Sequence, residues 1–173
     1  MSGEWSVVSE WDLAAIYRLR LLFSNSDSKS KYFIYISFMY QSTAQTRVRY
    51  AETDQMNVVY YGNYAQYFEI GRVESMRAIG FTYKRMEDEG VIMPVVELHT
   101  RFLRPATYDD LLTIQTQIRT LPTSYHIEFL QDVFNEENKL LAAGRVVLYF
   151  LKKDTWKRIN IPGDLKEALA KYF

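Results

Sequence analysis

The stretch YAETDQMNVVYYGNY, residues 50–64, places the carboxylate of Asp54 in a polar turn between two apolar segments. Seven residues on, Tyr61 and Gly62 lead into a run with helical periodicity. An acid just ahead of a helix start has two uses. As a turn residue, its side chain satisfies loop N–H groups. As a reactive group, it takes a proton or attacks an electrophile. The unpaired N–H groups and positive dipole end of the helix then hold the negative charge that develops on the substrate. Other reactive side chains are scarce. There is no cysteine, which excludes disulfides, thiolate metal sites and thiol nucleophiles. Two histidines, His99 and His126, are too few for a three-histidine metal site, and any Ser-His-Asp triad would have to use one of them. Both sit on the polar faces of strand-like runs, which suits solvated or interface histidines.

The elements that must position Asp54 are readable from periodicity. AQTRVRYAE (44–52) reads as a strand that ends at the Asp54 turn. Residues 62–80 read as a long helix, with Asn63 as N-cap and Gly80 as the C′ stop. Tyr64, Tyr67, Phe68, Gly71, Ala78 and Ile79 share one broad face, and Glu69, Glu74 and Arg77 mostly avoid it. A short helical piece, TYKRMEDEG, ends at Gly90. Strand-like runs follow. Val96, Leu98, Thr100 and Phe102 alternate with polar residues, as do Leu112, Ile114, Thr116 and Ile118, and then Tyr125, Ile127, Phe129 and Val133. Residues 140–152 are nearly all apolar, which predicts a central strand or one covered on both faces. RPATYDD, LPTS and NEEN separate the runs. IPGDLKEALAKYF reads as a C-terminal helix with Asp164 near its first turn. A mainly antiparallel sheet of about five strands with one long helix is an α+β layer architecture. One helix cannot cover so wide a sheet, which predicts a homodimer.

Composition sets outer limits. The chain has 173 residues, 48% hydrophobic and 24% charged, an ordinary globular composition that suits one domain. A formal net charge of zero argues against nucleic-acid binding, which needs a basic excess. No stretch reaches the roughly 18 apolar residues of a membrane span. YFIYISFMY (32–40) is too short to span and lies too far in for an ordinary secretory signal. Residues 1–40 carry no assignable chemistry. They read as an appended or disordered extension, or as sequence upstream of a start at Met39. Residues 41–173 read as the folded domain.

RVRYAETDQMNVVYYGNYAQYFEIGR, followed by VVELHTRFLRPATYDDLLTIQT, resembles the 4-hydroxybenzoyl-CoA thioesterase family of hotdog-fold acyl-CoA thioesterases, over roughly residues 44–165. The resemblance implies a sheet wrapped around the long helix, and dimers or tetramers with sites at their interfaces. It implies an acyl-CoA substrate, a cytoplasmic setting, and neither metal nor organic cofactor. Asp54 stands at the position of the catalytic carboxylate. Tyr61 matches the residue whose backbone N–H binds the thioester carbonyl oxygen. Asn57 stands where relatives usually carry glycine, and asparagine is the other residue that readily adopts positive φ.

Thioester hydrolysis needs an attacking group and donors for the oxyanion, each such donor contributing about 3–4 kcal/mol. Asp54 serves as nucleophile through an anhydride or as general base for water. The coenzyme A thiolate leaves readily, so a strong general acid is not required. Tyr60, Gly62 and Asn63, around the helix start, are candidates for substrate binding. Glu69, two turns in, either approaches the cleft or pairs with Arg72. Arg104, with Arg101, Lys84 and Arg85, is a candidate for the coenzyme A phosphates. Two other readings keep the fold: a thioesterase for acyl groups on acyl carrier protein, and a non-catalytic acyl-binding protein.

Overall fold

The computed structural model describes residues 39–173, together with the backbone of two upstream strands, β1 (Arg18–Leu22) and β2 (Phe33–Ser37), which pair antiparallel. The remainder of the predicted extension lies outside the described residues. Next come β3 (Tyr40–Arg47), α1 (Tyr64–Ala78), α2 (Tyr83–Asp88), β4 (Val91–Ile92) and β5 (Val95–Phe102). The chain continues through β6 (Leu111–Ile118), β7 (His126–Phe134), β8 (Leu140–Tyr149), β9 (Leu151–Lys152) and α3 (Gly163–Ala170). Five strands form one antiparallel sheet in the order β3-β6-β7-β8-β5, and β4 pairs with β9 separately. The sheet wraps α1, which lies against β3, β6 and β7. This is the α+β hotdog arrangement.

The alternating runs bury one face as predicted in β6 and β7, where Leu112, Ile114, Ile127, Phe129 and Val133 are in the core. Gln131 interrupts that face. It is held by donating from Nε2 to the Phe68 carbonyl (2.8 Å) and to Thr116 Oγ1 (3.0 Å). The apolar β8 is flanked on both sides, by β7 and β5. β5 differs from expectation. Its predicted buried face stays open in the single chain, with Leu98 43% and Phe102 51% exposed. The cause is position: β5 is an edge strand, and α1 leans toward the other side of the sheet.

The first strand also ends earlier than 44–52 predicts, at Arg47. Residues Tyr50–Glu52 form a 3-10 turn instead. The Arg49 N–H donates to the Glu52 carboxylate (2.9 Å), and the Glu52 N–H returns to the Arg49 carbonyl (3.0 Å). This reciprocal pairing folds the chain locally before it can extend the ladder.

On α1, Tyr64, Tyr67, Phe68 and Gly71 are buried as expected, and Ser75, Met76 and Arg72 extend the arc. Ala78 is exposed and Ile79 half-buried, because the helix stops there and the chain turns away through Gly80 at φ 85°. Gly71 sets the helix–sheet distance. A Cβ there would lie 2.5 Å from Ile114 Cγ2, 2.6 Å from Gln131 Nε2 and 2.7 Å from Thr116 Oγ1. Gly71→Ala should therefore destabilise the fold by about 1–3 kcal/mol through overpacking and loss of the Gln131 bonds. Glycine to alanine inside a helix otherwise stabilises by about 1 kcal/mol. A lower urea midpoint at unchanged slope would thus isolate the packing term, and a rise would refute it.

Candidate active site

Thr53 and Val59 face each other as an antiparallel bridge that closes a tight turn around Asp54. The Asp54 N–H donates to the Val58 carbonyl (2.9 Å), and the Asn57 N–H donates to the Asp54 carbonyl (2.9 Å). Asn57 takes φ 60°, the left-handed conformation that asparagine tolerates. Asn57 thus supplies the positive φ that this turn requires. The Met56 N–H donates to Asp54 Oδ1 (2.8 Å). Asp54 therefore serves the turn through Oδ1, and its Oδ2 accepts no hydrogen bond among the described residues.

Two further bonds fix the returning strand. The Val59 N–H donates to the Ala106 carbonyl (2.8 Å) and the Tyr60 N–H to the Glu52 carbonyl (2.9 Å). Glu52 holds the hairpin to the helix, because its carboxylate also accepts from the Tyr67 hydroxyl (2.8 Å). Burial and the facing Glu52 carboxylate push the Tyr67 phenol far above its ordinary range, so it remains a donor. Sequence reasoning missed Glu52, although its spacing of three from Arg49 was the available signal.

Asn63 holds the predicted cap position of α1, but without a side-chain capping bond. A 3-10 turn, Tyr61–Asn63, precedes α1, and Tyr60 is the extended residue before it (φ −58°, ψ 131°). Asn63 is itself helical (φ −71°, ψ −19°), and its Nδ2 donates to the Glu52 carbonyl (2.7 Å) rather than capping an amide. The first bond of this segment runs from the Asn63 N–H to the Tyr60 carbonyl (2.9 Å). The Tyr61 and Gly62 amides thus precede the hydrogen-bonded ladder, where N–H groups lack intrahelical partners.

Asp54, Tyr61 and Arg104 meet on one open groove of about 400 Å³, with Tyr64, Phe102 and Leu103 as its apolar wall. Phe102 packs edge-on to Tyr64 (5.2 Å between ring centres) and to Tyr61 (6.4 Å). Arg104 is exposed and anchored by donating from Nη1 to the Leu140 carbonyl (2.8 Å). Burial raises the Tyr64 phenol, so this wall is neutral.

The other predicted residues stand apart from this groove. The Tyr60 ring lies tilted against Tyr61 (4.4 Å between centres, 43° between planes), and Gly62 lies under the Tyr60 ring, where a Cβ would come within 2.7 Å of Cε1. Glu69 pairs with the buried Arg72 (3.4 Å). Lys84 pairs with Asp88, and Arg85 with Glu89 and Asp164, all away from the groove. Arg101 is exposed on β5. His99 is on β5, and His126 Nδ1 lies 3.0 Å from Ser124 Oγ. Among the described residues, no three His, Asp or Glu side chains are grouped to hold a metal ion, and no helix is long and apolar enough to cross a membrane.

Comparison with known proteins bears on what this arrangement is for. Residues 48–169 match the family model described as the thioesterase-like superfamily. The Bacillus subtilis protein YneP, provisionally named an acyl-CoA thioesterase, is 40% identical over 80 residues, covering 46% of this chain and 58% of YneP. The acyl-CoA thioester hydrolase YbgC of Escherichia coli is 33% identical over 102 residues, covering 59% of this chain and 75% of YbgC. Among solved structures, the DHNA-CoA thioesterase of Staphylococcus aureus superposes with a TM-score of 0.72 at 33% identity, covering 76% of this chain and 89% of that one. With 122 consecutive residues of this chain inside the family model, and with the same sheet-wrapped helix, the chain belongs to the thioesterase-like superfamily of hotdog-fold thioester hydrolases.

Proposed function

We propose that the chain hydrolyses acyl-coenzyme A to a free acid and coenzyme A, with Asp54 and the Tyr61 amide as its working groups. The observation that carries this reading is their meeting on one groove, with the Asp54 turn and the helix start braced against each other through Glu52. The thioester carbonyl oxygen lies against the Tyr61 N–H, and the dipole end of α1 favours the charge that forms there. Asp54 either takes a proton from water as it attacks the carbonyl carbon, or attacks directly to give an anhydride that water cleaves. In both routes the carbon–sulfur bond breaks, and coenzyme A leaves as thiolate. The aromatic wall of Tyr61, Tyr64 and Phe102 suits an apolar or aromatic acyl group. The test is release of free thiol from a panel of short, long and aromatic acyl-CoAs. Well-folded protein that releases none would overturn the assignment. A strong preference for the same acyl group on acyl carrier protein would reassign the substrate.

A second copy completes this reading. Among the described residues, β5 leaves its outer edge unpaired and exposes Val96, Leu98 and Phe102, and Phe102 also walls the groove. An edge strand with apolar side chains is a template for pairing. Leu98→Lys should shift the protein from dimer or tetramer to monomer in sedimentation equilibrium, with loss of thiol release. A monomeric wild type would remove the dimer from the proposal.

A further inference from the structure

Beside the Asp54 groove lies a second, unassigned pocket of about 480 Å³, between the end of β3 and the loop before β6. We infer that it takes the 3′-phosphoadenosine end of coenzyme A, an inference that rests on the acyl-CoA reading. Tyr50 and Tyr108 line the pocket in edge contact (5.6 Å between ring centres), and they are 79% and 57% exposed. Two large aromatic rings left this open offer faces on which a purine stacks. Arg47 and Arg49 stand beside them. Arg47 is already engaged: Nη1 donates to the Asp109 carbonyl (2.5 Å) and faces the carboxylates of Asp109 (3.6 Å) and Glu136 (3.7 Å). Arg49 enters no ion pair among the described residues, so its charge is the one available to a phosphate.

The two pockets are built from the same two segments. Residues 46–50 with Tyr108 and Asp109 line one; Asp54, Met56, Val58, Val59 and Tyr61, with residues 102–105, line most of the other. Backbone bonds tie the segments together at both places: the Val48 N–H to the Asp110 carbonyl (3.0 Å), the Asp109 N–H to the Val48 carbonyl (3.1 Å), and the Val59 N–H to the Ala106 carbonyl (2.8 Å). Their spacing is thereby fixed. Tyr50 and Asp54 are four steps apart along the chain, so their Cα atoms are at most about 14 Å apart. The pantetheine arm is long enough to cover that gap without being fully extended, with its thioester at Asp54 and its nucleotide at the tyrosines. Acyl carrier protein presents the same arm without the nucleotide, so this pocket would also favour coenzyme A over the carrier.

The test uses the full chain and two readouts. Calorimetry follows binding of adenosine 3′,5′-bisphosphate, and thiol release gives kcat/KM for one acyl group on coenzyme A and on pantetheine. Y50L/Y108L should weaken bisphosphate binding about tenfold and lower the preference for coenzyme A over pantetheine by a similar factor. Y50F/Y108F, which keeps the rings, should stay near wild type in both. R49Q should weaken bisphosphate binding and flatten its salt dependence. An unchanged preference in Y50L/Y108L together with R49Q, or no bisphosphate binding by wild type, would overturn the assignment while leaving the thioesterase reading intact. Bisphosphate binding that depends on these residues, in protein that releases no thiol from either substrate, would keep the nucleotide site and sink the thioesterase reading.

Discussion

Asp54→Asn should lower kcat for acyl-CoA hydrolysis by about 10²–10⁴, the range expected when a positioned base is removed, and leave the fold nearly untouched. The prediction turns on the two jobs of this side chain. Oδ1 accepts the Met56 N–H and so stabilises the turn. Asparagine keeps a carbonyl oxygen at that place, and the amide still accepts the bond. It cannot remove a proton from water or form an anhydride. Asp54→Ala is the informative contrast, because it loses the turn bond as well, a cost of about 1 kcal/mol. Thermal unfolding should thus separate Ala from Asn, whereas thiol release should not. If Asp54→Asn hydrolysed acyl-CoA at the wild-type rate, Asp54 would be a turn residue alone and the base would have to be sought elsewhere on the groove.

The parts of the candidate groove that were legible in the sequence lie mostly close along the chain, with Arg104 the exception. Asp54, Asn57 and Tyr61 fall within eight residues, and short-range turn and helix-start signals suffice to relate them. The expected left-handed Asn57 is found at φ 60°. Asn63 shows the limit of such signals. It stands at the cap of α1 as its residue type suggests, but a 3-10 turn precedes the helix and the Asn63 side chain donates to the Glu52 carbonyl instead of capping an amide. Phe102 and Leu103 were illegible as site residues because they reach the groove only through pairing of the sheet. Periodicity could mark one apolar face on β5, but periodicity does not say which strand becomes the edge. Glu69 was open between two roles, and the structure pairs it with an Arg72 side chain that is only 9% exposed. The burial of that arginine depends on what packs over α1, and helical spacing alone does not reveal it.

The second large effect concerns an N–H group rather than a side chain, which proline can remove. Tyr61→Pro should cut kcat by about 10²–10³, the usual cost of one lost oxyanion donor. The backbone is suited to the substitution. Tyr61 is the first residue of its turn, where proline is favoured because no intrahelical bond is lost. Tyr60, at φ −58° and ψ 131°, already has the extended conformation required of a residue before proline. The ring is lost too, along with its contacts to Tyr60 and Phe102. Tyr61→Ala loses the same ring and keeps the amide, so the ratio of the two variants isolates the N–H. The effect should appear in kcat more than in KM, because the donor matters most when the carbonyl oxygen carries negative charge. Asp54 is untouched in Tyr61→Pro and leaves residual activity above background. Equal rates for the proline and alanine variants would mean that the oxyanion is not held by this amide, and that the helix start positions the groove without taking part in the chemistry.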